Sequence, residues 1–338
     1  MTETAPIFRL LDVEKVYQID RGGWSRLRRN PPRRLAALDG IRLMVRAGDS
    51  IALVGESGSG KSTLLRVLLG LTETSDGRAL YRGDDIAVLT DEKRRSFQRD
   101  VAMIYQDARA SLNPRLKALD LIGEPIRQHA LCPEPELRDR VAALLARVGM
   151  PADTADRYPG QLSGGQVRRV AIARALASEP KVIVADEAVS GLDVSTQAQL
   201  LNLLRGLQHE MGLTLLFITH DLAVASYLCR RIAVMYLGRI VETGPTKEVL
   251  RHPLHPYTRA LLTASPRFFE PIAETLPGEI PSPIDLPPGC RFAGRCRRAA
   301  ASIRSGSPRS GWTCWHFRRC SSCRPAASTT RRSSRCRC

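Results

Sequence analysis

The sequence has few aromatic residues and no long apolar stretch. Only 5% of its 338 residues are Phe, Trp or Tyr. No apolar run approaches the roughly 18–20 residues that a membrane-spanning helix needs. The N-terminus, MTETAPIFRLLDVEK, lacks the charged-then-apolar pattern of a secretion signal. We therefore expect a cytosolic chain that does not itself span a membrane.

Acidic residues and lysine are missing from Cys290 onward. Thirteen arginines in that stretch account for most of the formal net charge of +17. A basic tail can attract nucleic acid or acidic lipid, but solvated charge is the simpler interpretation, so we expect no nucleic-acid partner. Seven of the nine cysteines lie there too. Disulfide scaffolds are usually short and led by a secretion signal, so a disulfide framework is not expected.

Residues 1 to about 265 alternate strand-like and helix-like stretches, which predicts an α/β domain with a mostly parallel sheet. The segments IALVG (51–55), KVIVADE (181–187) and LTLLFITHD (213–221) are apolar runs that end in glycine or polar residues. Buried parallel strands have this form. Ligands of such sheets bind at the carboxyl ends of the strands.

Three further segments interrupt or follow this domain. Residues 20–35 are basic and predict an exposed loop within the first strands. Residues 266–297 begin with a proline-rich stretch that predicts an extended linker or a packed arm. Residues 298–338 are rich in Ser, Arg and Cys with few apolar residues, which predicts a disordered tail.

The stretch GESGSGKS (55–62) matches the pattern G-x-x-x-x-G-K-[ST] between a predicted strand and a predicted helix. Its glycines let backbone N–H groups curl around phosphate oxygens, and the positive end of the helix dipole points at the same anion. Lys61 adds a cation for the β- and γ-phosphates, and Ser62 offers a hydroxyl to Mg²⁺. The predicted nucleotide contacts of this loop are Gly55, Glu56, Ser57, Gly58, Ser59, Gly60, Lys61, Ser62 and Thr63.

Two adjacent carboxylates end the predicted strand VIVADE. We expect Asp186 to hold Mg²⁺, directly or through water, and Glu187 to orient or deprotonate the attacking water. Adjacent carboxylates are common in proteins, but this pair accompanies a phosphate loop. Together the two motifs predict hydrolysis of a nucleoside triphosphate.

A second glycine loop, LSGGQ (162–166), also opens a predicted helix, roughly VRRVAIARALAS (167–178), but contains no lysine. Its backbone donors and helix dipole predict a weak anion site. Taken alone, the loop could instead be a helix cap. One nucleotide cannot occupy two distant helix starts in one subunit. We therefore expect each nucleotide to be held by the lysine loop of one subunit and by the lysine-free loop of another, through Ser163, Gly164, Gly165 and Gln166.

The order of the motifs resembles that of the nucleotide-binding subunits of ABC transporters. It runs from the phosphate loop through Gln106 after an apolar strand, LSGGQ, VIVADE and SGLD (190–193) to His220 after another strand. The resemblance implies that ATP is the nucleotide. It also implies a P-loop ABC ATPase fold with a mostly parallel core sheet, an N-terminal antiparallel β subdomain, and a helical subdomain at about residues 107–165.

The resemblance also implies roles for individual residues. Gln106 resembles the glutamine that contacts Mg²⁺ and the attacking water and senses the permease. His220 resembles the histidine that contacts the γ-phosphate and positions Glu187. Tyr17 resembles the aromatic residue that stacks on adenine, with a core tyrosine as the alternative. Asp193 resembles the aspartate that links the two sites across the dimer.

Four positions depart from the family pattern. Ala188 stands where proline often follows the two acids, and Gly191 stands where alanine is common. Val167 and Arg168 replace the more usual arginine and glutamine after LSGGQ. Because none of these changes removes a phosphate or metal contact, we still expect an active ATPase.

Several stretches resemble the ATPases of oligopeptide and dipeptide importers, among them YQDARASLNPR (105–115) and PGEIPSPIDLPPGCRFAGRC (277–296). The basic insertion resembles that of the F-type subunit, one of two non-identical ATPase subunits in such systems. The resemblance implies two membrane permease subunits, a second ATPase subunit and an extracytoplasmic solute-binding protein. The chain would then lie at the cytoplasmic face of the cell membrane.

Three alternatives remain open at this point. Close relatives of the peptide importers transport nickel or glutathione. A different class is a soluble ABC ATPase that acts on nucleic acid or ribosomes, although such proteins usually carry two cassettes or long coiled coils. A third alternative is a non-catalytic regulatory subunit, against which the complete set of phosphate, metal and water ligands argues.

Cys290 and Cys296 match the start of a cysteine set that can hold an iron–sulfur cluster in the resembled family. After Arg297 the likeness ends, and we interpret the following stretch as a diverged or frame-shifted tail. We therefore expect that the two cysteines are remnants of a cluster site rather than ligands of an intact cluster.

Overall fold

The computed structural model describes residues 6–19, 33–264, 281–284, 286 and 290–296. Ten strands, ten α-helices and several short 3₁₀ turns make up this part of the chain. The predicted exposed loop at 20–35 lies mostly outside it, as does the tail at 298–338. The prediction was wrong at residues 33–35, which form the start of the second strand because they pair with the first.

A four-stranded antiparallel sheet comes first in the chain, in the order β2-β1-β4-β5. β1 pairs with both β2 and β4, with register shifts that mark irregularities in the strand. The strands are β1 (Pro6–Ile19), β2 (Arg33–Arg46), β4 (Asp76–Tyr81) and β5 (Asp84–Asp85).

A six-stranded sheet in the order β10-β9-β3-β8-β7-β6 forms the centre of the molecule. Its strands are parallel except at β10, which pairs antiparallel with β9. The mostly parallel core sheet and the antiparallel sheet predicted for the fold are both present. The strands are β3 (Ser50–Val54), β6 (Val101–Ile104), β7 (Val182–Asp186), β8 (Thr214–Thr219), β9 (Arg231–Tyr236) and β10 (Arg239–Pro245).

Alternate residues of the central strands enter two different hydrophobic clusters. Leu53 and Ile218 face the antiparallel sheet, whereas Ala52 and Phe217 face most of the helices. Because both faces of these strands are buried, their sequences are continuous apolar runs rather than alternating ones. This explains why the central strands could be predicted from the sequence.

The helices divide between the two faces of the central sheet. The helix after the first glycine loop and the one before β6 pack toward the antiparallel sheet, and most of the others cover the opposite face. In the described residues no helix is long and apolar enough to cross a membrane. The helices are α1 (Lys61–Leu68), α2 (Asp91–Asp100), α3 (Ala108–Ser111), α4 (Ala118–Gln128), α5 (Leu137–Arg147), α6 (Gly164–Leu176), α7 (Val194–Met211), α8 (Leu222–Leu228), α9 (Thr246–Arg251) and α10 (Pro256–Ala264).

Candidate nucleotide site

The register of the central sheet brings four predicted site segments to one edge. Val54 of β3 pairs with Thr219 of β8, and Asp186 of β7 pairs with Ile218. β6 lies beside β7 in the sheet and runs parallel to it. The phosphate loop, His220, Glu187 and Gln106 all follow the carboxyl ends of these strands, where ligands of parallel sheets bind.

The first glycine loop approaches neighbouring backbone too closely for larger residues. A Cβ atom on Gly55 would lie 2.2 Å from the carbonyl oxygen of Met235, and one on Gly60 would lie 2.5 Å from that of Ala37. Gly60 also has φ at +101°, the left-handed region that glycine adopts without strain. Close approach and positive φ therefore both require glycine immediately before α1.

Lys61 is buried at the first turn of α1. Its ammonium donates hydrogen bonds to the carbonyl oxygens of Gly55 at 2.7 Å and Glu56 at 2.8 Å. Burial lowers the pKa of Lys61, against the opposite effect of the Glu187, Asp186 and Glu56 carboxylates. The lysine therefore lies within the electrostatic field of Asp186 and Glu187, at the end of β7.

The two carboxylates differ in their environment. Asp186 is half-buried at the end of β7, and burial followed by the charge of Glu187 raises its pKa. Glu187 has φ at +42°, an unusual conformation for a residue with a side chain. Its N–H donates to the carbonyl oxygen of Ile218 at 3.0 Å, so the neighbouring strand fixes this turn.

Glu187 is held between two of the other predicted catalytic side chains, Gln106 and His220. Gln106 donates through Nε2 to one carboxylate oxygen at 3.1 Å, and His220 Nδ1 lies 3.1 Å from the other. The Glu187 side chain is 20% exposed, whereas that of His220 is 65% exposed. The structure thus brings together Lys61, Asp186, Glu187, Gln106 and His220, which come from four separate segments of the sequence.

The second glycine loop forms the N-terminus of α6. Ser163 accepts a hydrogen bond from the Gln166 N–H at 3.3 Å, and the Gln166 side chain accepts one from the Ser163 N–H at 2.9 Å. This reciprocal pair is a capping box. It leaves Ser163 and Gly164 exposed. The helix was predicted to begin after Gln166, but the cap lets it begin at Gly164.

The remaining predicted contacts lie apart from the lysine. Across the described residues, no hydrogen bond or ion pair joins the 163–166 loop to the 55–62 loop. Asp193 is exposed and caps α7 by accepting from the Thr196 N–H at 2.9 Å. Tyr17 on β1 is half-buried and has the Lys15 ammonium 5.2 Å from its ring centre. The stacking of Tyr17 on adenine stays a prediction, and so does the role of Asp193 in linking the two sites across the dimer.

Three side chains that support the site are not among the predicted site residues. Arg168 donates to the carbonyl oxygens of Ala188 and Ser190, in the loop after Glu187. Arg295 donates to both carboxylate oxygens of Glu56. Tyr257 accepts a hydrogen bond from the Glu56 N–H at 2.9 Å. Of the three, only Arg168 had a signal in the sequence, because it departs from the family pattern after LSGGQ.

The two cysteines of the expected cluster remnant pack against the main hydrophobic cluster. Cys290 and Cys296 are partly buried and unpaired by disulfides. Iron–sulfur clusters usually take four cysteine ligands. Within the described residues, no group of three or more His, Cys, Asp or Glu side chains is placed to hold a metal. The two cysteines alone do not fit a cluster, and the other cysteines of the tail lie outside those residues.

The fold and the site define a P-loop nucleoside triphosphatase of the ABC class. Residues 38–190 match the family model for ABC transporters, and residues 241–302 match that for the C-terminal region of oligopeptide/dipeptide transporters. The ATP-binding cassette MJ0796, solved as a dimer bound to ADP and Pi, aligns with a TM-score of 0.61 and 30% identity. That alignment covers 71% of this chain and 98% of the cassette.

Curated relatives narrow the family. The oligopeptide transport ATP-binding protein OppF of Salmonella typhimurium is 47% identical over 79% of this chain and 81% of its own length. The dipeptide transport ATP-binding protein DppF of Haemophilus influenzae is 40% identical over 90% of this chain and 93% of its own length. The chain therefore belongs to the ABC transporter family, in the group of ATP-binding subunits that these two relatives represent. It is an ATP-binding protein whose ATP hydrolysis is coupled to transport.

Proposed function

We propose that this chain powers an importer of oligopeptides or dipeptides by hydrolysing ATP at the Lys61–Glu187 site. The observation that carries the catalytic part is the Glu187 carboxylate, held on its two oxygens by Gln106 and His220. The peptide part is supported by the C-terminal match at residues 241–302 and by the oligopeptide and dipeptide transport for which the two relatives are named.

Glu187 would act as the base or orienting group for the attacking water, and His220 would fix the carboxylate and reach toward the γ-phosphate. Mg²⁺ prefers oxygen ligands, which Ser62, Gln106 and Asp186 supply. The raised pKa of Asp186 indicates a carboxylate that a nearby cation would stabilise. Bound there, Mg²⁺ would neutralise charge on the β- and γ-phosphates.

Ser163, Gly164, Gly165 and Gln166 would complete the site of a second ATPase subunit. The exposed, capped start of α6 offers backbone donors to an anion. Asp193 starts the neighbouring helix, and a Cβ on Gly165 would lie 3.1 Å from the Thr196 methyl group. The cassette MJ0796 was solved as a dimer, which supports this arrangement. A heterodimer with a second ABC ATPase is the arrangement we propose, with a homodimer as the alternative.

A groove beside the catalytic residues is the proposed contact with the permease subunits. It has a volume of about 830 Å³ and lies between the end of β6 and helices α3, α4 and α6. Gln106 and the 47% exposed Tyr105 line it. A permease segment bound there would touch the same Gln106 that holds Glu187. Two permease subunits and an extracytoplasmic solute-binding protein would complete the importer.

The experiment that tests the catalytic role is Glu187→Gln in the assembled transporter. A positioned base contributes about 10²–10⁴-fold to rate. We expect turnover to fall by at least about 100-fold, with ATP still bound. Turnover near that of the unchanged protein would remove Glu187 from the role.

The shared site is tested by photolabelling the complex with 8-azido-ATP. Lys61→Ala should abolish labelling of this chain. Ser163→Glu places a negative charge at the start of α6, so it should lower labelling of the partner ATPase. If both variants lower the labelling of this chain only, then the 55–62 and 163–166 loops bind the same nucleotide within one subunit. That outcome would contradict the shared site.

The solute is tested by uptake into proteoliposomes that contain the whole transporter. We expect ATP-dependent uptake of labelled di- and oligopeptides that Lys61→Ala abolishes. Uptake of nickel or glutathione instead would reassign the solute. Failure of this chain to co-purify with any integral membrane subunit would favour a soluble ABC ATPase.

A further inference from the structure

A short C-terminal segment, residues 290–296, packs against the phosphate loop of the same chain. Phe292 is 3% exposed, and its ring centre lies 5.4 Å from that of Tyr236 and 5.7 Å from that of Tyr257. The 3₁₀ turn Ala293–Arg295 follows directly. The buried ring therefore anchors two arginines, Arg291 and Arg295, on either side of it.

Arg295 forms a two-pronged ion pair with Glu56, the second residue of the phosphate loop. Its Nη1 lies 2.8 Å from one carboxylate oxygen, and its Nη2 lies 3.2 Å from the other. The side chain of Arg295 is 6% exposed and that of Glu56 is 26% exposed. A planar guanidinium matches both oxygens of a carboxylate, so this pair fixes orientation as well as distance.

Glu56 is consequently held from three sides. Arg295 binds its carboxylate, Tyr257 accepts from its N–H at 2.9 Å, and Lys61 donates to its carbonyl oxygen at 2.8 Å. Tyr257 is fully buried and belongs to the same aromatic group as Phe292. The conformation of the peptide units around Glu56 thus depends on groups from the C-terminal part of the chain.

Arg291 supports the other side of the loop. It donates to the carbonyl oxygen of Leu237 and to the carboxylate of Asp39. Leu237 has φ at +44°, and the next residue, Gly238, donates its N–H to the carbonyl oxygen of Ser59 at 2.8 Å. Arg291 therefore fixes a turn that is itself bonded to the phosphate loop.

We propose that Arg295 and Arg291 are positioning residues of the nucleotide site and that the C-terminal segment 290–296 holds the phosphate loop in its ATP-binding conformation. The proposal rests on the proposed role of the 55–62 loop in ATP binding. A backbone cradle binds phosphate well only if its donors are already oriented, since ordering a loop on binding reduces affinity. The segment would act before the chemical step, through the phosphate loop.

The expected signature is a separation of KM from kcat. Arg295→Ala should raise the KM for ATP about tenfold while kcat at saturating ATP stays within about twofold. The loss of hydrogen bonds to a charged group is of this size, because a tenfold change in affinity corresponds to about 1.4 kcal/mol. Arg295→Lys restores the charge without the fork and should give an intermediate KM. Arg291→Ala should raise KM in the same direction by a smaller factor.

Three further variants distinguish positioning from general destabilisation. Arg127→Ala removes a fork to Glu134 of the same kind in the helical region, so it should leave the KM for ATP unchanged. Glu56→Gln removes the partner charge without opening a cavity and should raise KM by itself. Arg295→Ala added to Glu56→Gln should then raise KM little further, because both variants break one interaction.

The experiment is steady-state ATPase kinetics of the assembled transporter, with thermal melting of each variant. An unchanged KM in both Arg295→Ala and Glu56→Gln would overturn the proposal. A rise in KM that only parallels the loss of folded protein would also overturn it. So would a KM in the double variant that equals the sum of the two single effects on a free-energy scale. Lys61→Ala serves as the reference. If it leaves ATP affinity intact, the proposed site itself fails; if it abolishes binding while the arginine variants bind normally, only the present inference fails.

Discussion

Arg168 Nη2 donates a hydrogen bond to the carbonyl oxygen of Ser190 at 2.6 Å, and its Nη1 donates to that of Ala188. The helix that starts at the second glycine loop is thereby bonded to the loop between Glu187 and Asp193. One side chain connects the region proposed to bind a partner's nucleotide with the region proposed to hydrolyse this subunit's own. The connection gives Arg168 a structural role in place of the glutamine more usual at this position.

We predict that Arg168→Ala lowers kcat about tenfold with little change in ATP affinity. Losing a charged donor to two half-buried carbonyls loosens the loop that fixes Glu187, and each such bond contributes about 1.5–3 kcal/mol. Steady-state ATPase assays check this. Arg169→Ala is the matched control, because Arg169 on the same helix donates to the carbonyl oxygen of Val148 at 2.6 Å. Equal losses of kcat in both variants would contradict the prediction.

His220 is the subject of the second prediction. His220→Ala removes one of the two contacts that hold the Glu187 carboxylate, so we expect turnover to fall by about 100-fold while nucleotide binding persists. His220→Gln, which keeps a polar group near Glu187, should recover part of the rate. His209→Ala removes an exposed histidine from α7 and should leave turnover unchanged. Turnover in His220→Ala within a few-fold of the unchanged protein would argue against this role.

The sequence predicted the parts of the site that depend on strand ends and motif order. Each central strand is a continuous apolar run because it is buried on both faces. The first glycine or polar residue after the run therefore indicates the carboxyl end of the strand. Parallel pairing then brings Gly55, Glu187 and His220 to one edge. No knowledge of side-chain contacts is needed for that step.

The parts that the sequence did not predict depend on long-range contacts with backbone or single carboxylates. Arg295 and Glu56 are 239 residues apart in the chain. Arg168 binds carbonyl oxygens, which every residue possesses, so no residue type marks the acceptor. The early start of α6 at Gly164 was missed for a different reason. Ser163 and Gln166 have the spacing of a capping box, but because a helix cap and an anion site were both open for this loop, the sequence does not decide at which of its residues the helix begins.

The third prediction concerns stability. The Tyr81 hydroxyl donates to buried Asp100 at 2.8 Å, and Lys181 lies 2.9 Å from the same carboxylate. Tyr81→Phe removes one donor to this carboxylate, which keeps Lys181 and Arg82 as partners, so we expect the free energy of unfolding to fall by about 1–2 kcal/mol. Urea unfolding measures it. Tyr227→Phe is the control, because Tyr227 is exposed and bonds only Asn202 among the described contacts of its hydroxyl. ATPase kinetics should be unchanged in both, and an equal loss of stability in both would count against the buried pair.

The last prediction follows from His255, which packs beside Phe292 at a ring distance of 5.8 Å. Its Nδ1 accepts from the Tyr257 N–H at 3.1 Å, which requires that nitrogen to be unprotonated. Burial lowers the pKa of His255 to about 4. Glu242, Tyr257 and Arg259 also lie at this turn: the Glu242 carboxylate accepts from the N–H groups of Leu254 and His255, and the Arg259 N–H donates to the His255 carbonyl oxygen.

The sign of the pH dependence follows from linkage. The ordinary histidine pKa is about 6.5, so between about pH 6.5 and pH 4 the unfolded chain takes up a proton at His255 that the folded chain does not. The free energy of unfolding should therefore fall as the pH falls through that window, by up to about 3 kcal/mol, and this contribution should level off below about pH 4.

His255→Asn removes the titrating group while keeping a polar side chain at the turn. We expect the variant to be less stable at pH 7, where the packed imidazole is lost, but to lose less stability between pH 6.5 and pH 4.5. Urea unfolding at half-unit pH steps compares the two slopes. His209→Asn, at an exposed position on α7, should keep the slope of the unchanged protein. Identical slopes for the unchanged protein and His255→Asn would mean that His255 is already protonated in the folded chain or does not titrate in this window. In either case the buried imidazole would not explain loss of stability in acid, and Glu242 would become the group to test.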